Sequence, residues 1–160
     1  MRPEGAPGQV SQEAKRTWLF SGLFCLFFFL SGCASLVPQT IELRSIWPAE
    51  VPRAAELKDT PFFPQTEYQC GPAALATILG KAGANTTPEE LAKEVYLPGR
   101  KGSLQVEMLA APRRHGLVGS QLPAAYDALL REVAAGRPVL VLQNLGIFPF
   151  DNWHYAVVVG

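Results

Sequence analysis

Helix-forming patterns fill the middle of this chain and β-branched runs close it, an order that places the fold in the α+β class. The first helical pattern is the clearest. Residues 72–81, PAALATILGK, set a proline in the first turn, where its missing N–H costs nothing. Ala and Leu propagate the helix, and Gly83 supplies a stop. Ahead of it, Pro61 and Pro64 keep the approach extended, because the residue before each proline is pushed away from helical angles.

A second helix is announced over residues 85–90. Thr87 can cap it, Pro88 takes the first turn, and Glu90 completes a capping box. The segment LPGRKGS, residues 97–103, is expected to be a loop. Ser103 is expected to cap a third helix running from Leu104 to about Arg114 and ending at Gly116, with Pro112 bending or shortening it. Residues 117–122 make a short candidate strand. Pro123 opens an amphipathic helix with Leu129, Leu130 and Val133 on one face, closed by Gly136. Residues 138–143 (PVLVLQ) and 153–159 (WHYAVVV) are predicted strands, joined by a loop over 144–152 rich in Gly, Pro and aromatics.

The N-terminal segment is patterned as a targeting signal. Residues 1–13 are polar and rich in Gly and Pro, an unstructured composition. Lys15 and Arg16 form a basic start, and the apolar run WLFSGLFCLFFFL follows over residues 18–30. That run suits the apolar region of a signal peptide better than a membrane helix, which needs about 20 apolar residues. It closes with Leu30-Ser31-Gly32-Cys33, which resembles the bacterial lipobox. The resemblance implies cleavage before Cys33, lipidation of its sulfur, and anchoring at the cell envelope. Ala34, rather than Asp, at the next position implies the outer membrane, facing the periplasm. The expected organisation is a signal peptide over 1–32, a lipidated, extended tether over 33–60 and one domain over 61–160. Removing the signal leaves roughly 127 residues, enough for one core. The alternative is a plain signal peptide or an uncleaved anchor in which Cys33 is incidental.

Fourteen basic residues balance fourteen acidic ones, so no electrostatic footprint points to nucleic acid. Two histidines without metal-ligand spacing argue against a metal site, and no cofactor is expected. Of the three cysteines, Cys25 leaves with the signal and Cys33 takes the lipid, so Cys70 is the one thiol of the mature domain. An isolated Cys is often a buried, inert residue. Here it stands directly before a helix, where unsatisfied N–H groups and the positive end of the helix dipole favour a thiolate. Gly71 beside it leaves room for a substrate to approach the sulfur. His154 begins the last strand and can take the thiol proton and return it to a leaving group. The other histidine, His115, near a helix C-terminus beside Arg113 and Arg114, fits a packed structural role. A side-chain amide upstream of the thiol can join the Cys70 N–H in stabilising an oxyanion. Gln65 is preferred over Gln69, which adjoins the nucleophile.

The segments QTEYQCGPAALATIL, LPGRKGSLQVEMLAA, PVLVLQN and WHYAVVVG resemble the bacteriocin-processing cysteine peptidase family, and more closely its exported, lipoprotein-type relatives. The resemblance spans residues 61–160, and Cys-Gly-Pro-Ala-Ala-Leu is its most specific part. It implies a papain-like fold, with N-terminal helices and a C-terminal antiparallel sheet. By the same resemblance Cys70 is the nucleophile, His154 the base and Gln65 the oxyanion donor. The family also supplies an Asp or Asn on the strand after the catalytic His. This sequence ends at Gly160, before that position, and is expected to be truncated. Asp151 precedes His154 and is poorly placed as a substitute. The expected function is thiol-dependent cleavage of a peptide or amide bond in a peptide or protein substrate. Two alternatives stand beside it: a transglutaminase- or deamidase-like acyl transferase, and a lipoprotein that binds peptides without turnover.

Overall fold

The computed structural model of the chain describes residues 38–160. The expected signal segment 1–32 and the expected lipidation site Cys33 lie outside the described residues. One unit ends at Ser45 and a second runs Ile46–Gly160. In the first, α1 (Pro38–Ser45) is a short helix with no buried residue. The tether expected to be extended is therefore helical in part. A proline at the opening position permits this, since its absent N–H would have no intrahelical partner anyway.

In the second unit α2 (Cys70–Lys81) starts at Cys70 itself rather than just after it. Gln69 is its N-cap and makes no side-chain capping bond. The helix stops where Gly83 adopts φ +89°, and the Ala82 and Gly83 amides return to the Ile78 and Gly80 carbonyls. Gly71, Pro72, Leu75, Ala76 and Leu79 are all buried, because the helix is apolar around most of its circumference. It forms the centre of the core with Leu91, Val95, Met108, Ala111 and Tyr155. Each fully buried Leu contributes about 1.5–3 kcal/mol.

The second helix, α3 (Pro88–Val95), has the expected capping box. Glu90 N donates to Thr87 Oγ1 at 3.3 Å, and Thr87 N donates to Glu90 Oε2 at 3.1 Å. Thr87→Ala should cost about 1 kcal/mol in urea unfolding, the usual worth of such a cap.

Residues 97–103 depart from the expected loop. Strands β1 (Tyr96–Leu97) and β2 (Gly102–Ser103) pair antiparallel around a 3-10 turn, Pro98–Arg100, and Lys101 at φ +48° returns the chain. Strands of two residues carry too little alternation to show in sequence. Ser103 is accordingly a strand residue and not a helix cap. Leu104 is the N-cap of α4 (Gln105–Ala110) and makes no side-chain capping bond. Pro112 shortens that helix as expected: a 3-10 turn, Ala111–His115, follows it and ends at Gly116, φ +73°. The strand expected over 117–122 does not form. That stretch is irregular, and Leu117 packs on the core instead.

Helix α5 (Tyr126–Ala134) buries Val133, with Leu129 and Leu130 half-buried. Strands β3 (Val139–Asn144) and β4 (Trp153–Val158) pair antiparallel, with Leu140 opposite Val157 and Leu142 opposite Tyr155. Those four residues share one face of the hairpin, by the two-residue period of a strand, and pack on the core around α2. Leu57 N donates to Val159 O at 2.7 Å, so the lead-in touches the end of β4 without becoming a strand. His115 Nε2 lies 3.1 Å from Glu94 Oε1, and Arg114 Nε donates to Glu94 Oε2 at 2.7 Å, tying the 3-10 turn to α3. The architecture is α+β: helices with one small antiparallel pair, β1–β2, between α3 and α4 and a second, β3–β4, after the last helix.

Candidate active site

Cys70 is half-buried and free, at the amino end of the most buried helix. Ala73 N donates to Gln69 O at 3.2 Å, and of the residues before it Pro72 has no N–H, which leaves the Cys70 and Gly71 amides at the helix's open end. The positive end of the helix dipole lies there too.

A cleft of about 880 Å3 opens at this end. It is lined from the lead-in by Gln65 and Tyr68, from α2 by Cys70, from the β1–β2 hairpin by Lys101 and Ser103, and from β4 by His154. The three residues expected to carry chemistry, Cys70, His154 and Gln65, thus border one space. Gln69 is not part of the lining.

Gly71 has a different role from the one expected. It is buried, and a methyl added to it would sit 2.5 Å from Ser103 Oγ, 2.8 Å from Ser103 Cβ and 3.5 Å from Met108 Sδ. The glycine lets β2 close against the start of α2, so it serves packing and not substrate approach. Ser103 Oγ is itself buried without a hydrogen-bond partner.

His154 stands opposite Gln143 in the ladder, one residue before Tyr155 and so on the other face of the strand. It reaches the cleft because it lies near the open end of β4, next to Trp153, which also lines it. Among the described residues no hydrogen bond joins Cys70 to His154. Catalytic contacts are often loose before substrate binds. Asp151 is occupied elsewhere: its Oδ1 accepts from Asn144 Nδ2 at 2.7 Å. Asn144 Oδ1 accepts from the Gly146 and Asn152 amides, each at 2.9 Å, so this one side chain pins both ends of the loop that delivers His154.

Tyr155 is the cleft residue closest in character to the core. Its hydroxyl donates to Ser103 O at 3.4 Å. Burial, and secondly the charge of Cys70, push its phenol above the usual range. The sequence offered no signal for the Tyr155–Ser103 contact, which spans 52 residues of chain. Nor did it indicate the pairing of Lys101 with Tyr68, whose ring centroid lies 5.0 Å from the ammonium. Both of these residues have left-handed backbones, at φ +48° and +63°. That conformation costs a non-glycine residue about 1–2 kcal/mol and recurs at functional sites.

The sequence pattern of the Peptidase_C39 like family matches residues 57–160. No curated protein and no solved structure matches the chain.

Proposed function

The chain belongs to the Peptidase_C39 like family, a family of cysteine peptidases, and from that premise we propose that it is a papain-like thiol hydrolase with Cys70 as nucleophile, His154 as base and Gln65 as oxyanion donor. The supporting observation is that these three residues, on three separate segments, line one cleft at the amino end of α2.

In the proposed reaction His154 takes the proton from Cys70 Sγ, and the thiolate attacks the carbonyl carbon of a peptide or amide bond. The carbonyl electron pair moves to oxygen, where the Cys70 N–H and the Gln65 amide stabilise the negative charge. Removing one such donor costs about 3 kcal/mol of transition-state stabilisation. Collapse breaks the C–N bond, and His154 returns its proton to the departing amine. Water then attacks the thioester with His154 again as base, releasing a carboxylic acid and restoring the thiol.

The test is alkylation of the folded chain by a thiol-directed electrophile, with Cys70 followed by peptide mass spectrometry. Faster modification of Cys70 than in the unfolded chain is expected. A rate no greater than unfolded supports a peptide-binding lipoprotein instead. Product analysis with and without an added amine separates hydrolysis from acyl transfer.

We also assign residues 1–32 as a cleaved signal, 33–60 as a tether lipidated at Cys33, and the outer membrane facing the periplasm as the location. The support is the apolar run ending in Leu-Ser-Gly-Cys. Incorporation of labelled palmitate that disappears in Cys33→Ala is the expected result.

A further inference from the structure

We propose that the cleft selects substrates bearing a carboxylate beside the bond that is cut, recognised by Arg100 and Lys101. This rests on the thiol-hydrolase reading of the same site and adds the substrate's charge to it. Arg100 and Lys101 sit at the tip of the β1–β2 hairpin and line the cleft together with Cys70 and His154. Among the described residues neither forms an ion pair, as is also true of Arg44, Arg53, Lys93 and Arg113, whereas Lys58, Lys81, Arg114, Arg131 and Arg137 each meet a carboxylate. What sets Arg100 and Lys101 apart is their place in the cleft. Among the described residues Glu67 is the one carboxylate in the lining, so they give the cleft an excess of positive charge before His154 is counted. The whole chain is formally neutral, which makes the excess local and not a consequence of composition.

Lys101 is also held in place. Its ammonium lies 5.0 Å from the centroid of the Tyr68 ring, an attraction that steadies the cation without neutralising it. Both residues have left-handed backbones. An unpaired, positioned cation at a concave surface attracts anions from solvent and orients them. Screening confines such effects to about 8 Å at physiological salt, so charges lining the cleft act on an anion bound in it far more than charges elsewhere on the chain.

Two reagents of equal size test this without a known substrate. Iodoacetate carries a carboxylate and iodoacetamide does not, and both form a C–S bond at Cys70 with loss of iodide. The full chain is alkylated with each, and the rate at Cys70 is read by peptide mass spectrometry. Changing Arg100 and Lys101 together to Glu should lower the iodoacetate-to-iodoacetamide ratio about fivefold or more. Lys93→Glu, an exposed cation outside the cleft, should change it less than about twofold. The double change to Gln is the second variant, should reversal disturb folding, and should lower the ratio in the same direction. His154 is kept throughout, so no arm loses its side chain. A ratio unchanged in both double variants, or lowered equally by Lys93→Glu, overturns the proposal. Failure of both reagents to modify Cys70 faster than in the unfolded chain defeats the thiol-hydrolase reading itself, a result distinct from fast but charge-blind alkylation.

Protection of Cys70 from iodoacetamide then identifies the carboxylate. Acetyl-Ala-Glu-amide presents it on a side chain and acetyl-Ala-Ala at a free C-terminus. Protection by either above that of acetyl-Ala-Gln-amide supports the proposal and names the source, and equal protection by all three overturns it.

Discussion

Cys70→Ala should abolish hydrolysis, with a loss in kcat on the order of 10^6, the size seen when a covalent nucleophile is removed. Among the described residues Cys70 is the only sulfur lining the cleft, so no neighbouring thiol there can substitute for it. His154→Ala should cost less, about 10^2–10^4, because a thiol is intrinsically nucleophilic and needs the base chiefly to shed its proton. The two variants should therefore separate in their pH profiles. Activity left in His154→Ala should climb as alkali ionises the thiol directly, whereas Cys70→Ala should stay flat. Single-turnover kinetics on any cleaved peptide amide read both effects. Equal, pH-independent losses in the two variants would remove His154 from its role as base.

The second large effect falls on stability. Gly71→Ala places a methyl 2.5 Å from Ser103 Oγ and 2.8 Å from its Cβ, distances that force β2 away from α2. Overpacking of this kind costs about 1–3 kcal/mol. Alanine's better helix propensity returns at most about 1 kcal/mol, so the net change should be destabilising. Because β2 adjoins Lys101 and carries Ser103, the displacement should also reshape one wall of the cleft and lower kcat/KM. The double variant Gly71→Ala, Ser103→Gly removes both clashing atoms and the partnerless hydroxyl, and should regain most of the lost stability. Urea unfolding checks both. A glycine kept only for substrate access would instead leave unfolding unchanged and raise KM.

Cys70 and Gly71 adjoin in sequence, yet only the helix start at Cys70 was legible. A Cys before a Pro-started helix is recognisable because helix nucleation is local: the proline, the alanines and the stop at Gly83 all act within a few turns. Thr87 and Glu90 were legible for the same reason, as a capping box closes over three residues. Gly71 was not, since what forbids a side chain there is Ser103, brought in by a hairpin over thirty residues further along the chain. The hairpin itself was hidden, because two-residue strands leave no periodic trace and Lys101 reaches a left-handed φ that glycine would have advertised. The expected strand over 117–122 failed for a related reason: a run of strand-forming residues is only a strand if another is there to pair with it.

By itself, the sequence determined helices α2, α3 and α5, the closing strand pair, the α+β class and the residue types that can carry thiol chemistry, since each depends on local propensity or short-range spacing. Tertiary structure alone decided that Gln65, Cys70 and His154 border a common cleft, that Asp151 is taken by Asn144, and that two cations without an ion pair among the described residues line the same cleft. Those are long-range facts. They depend on which segments the buried α2 helix draws against itself, and burial of that helix is a property of the whole core.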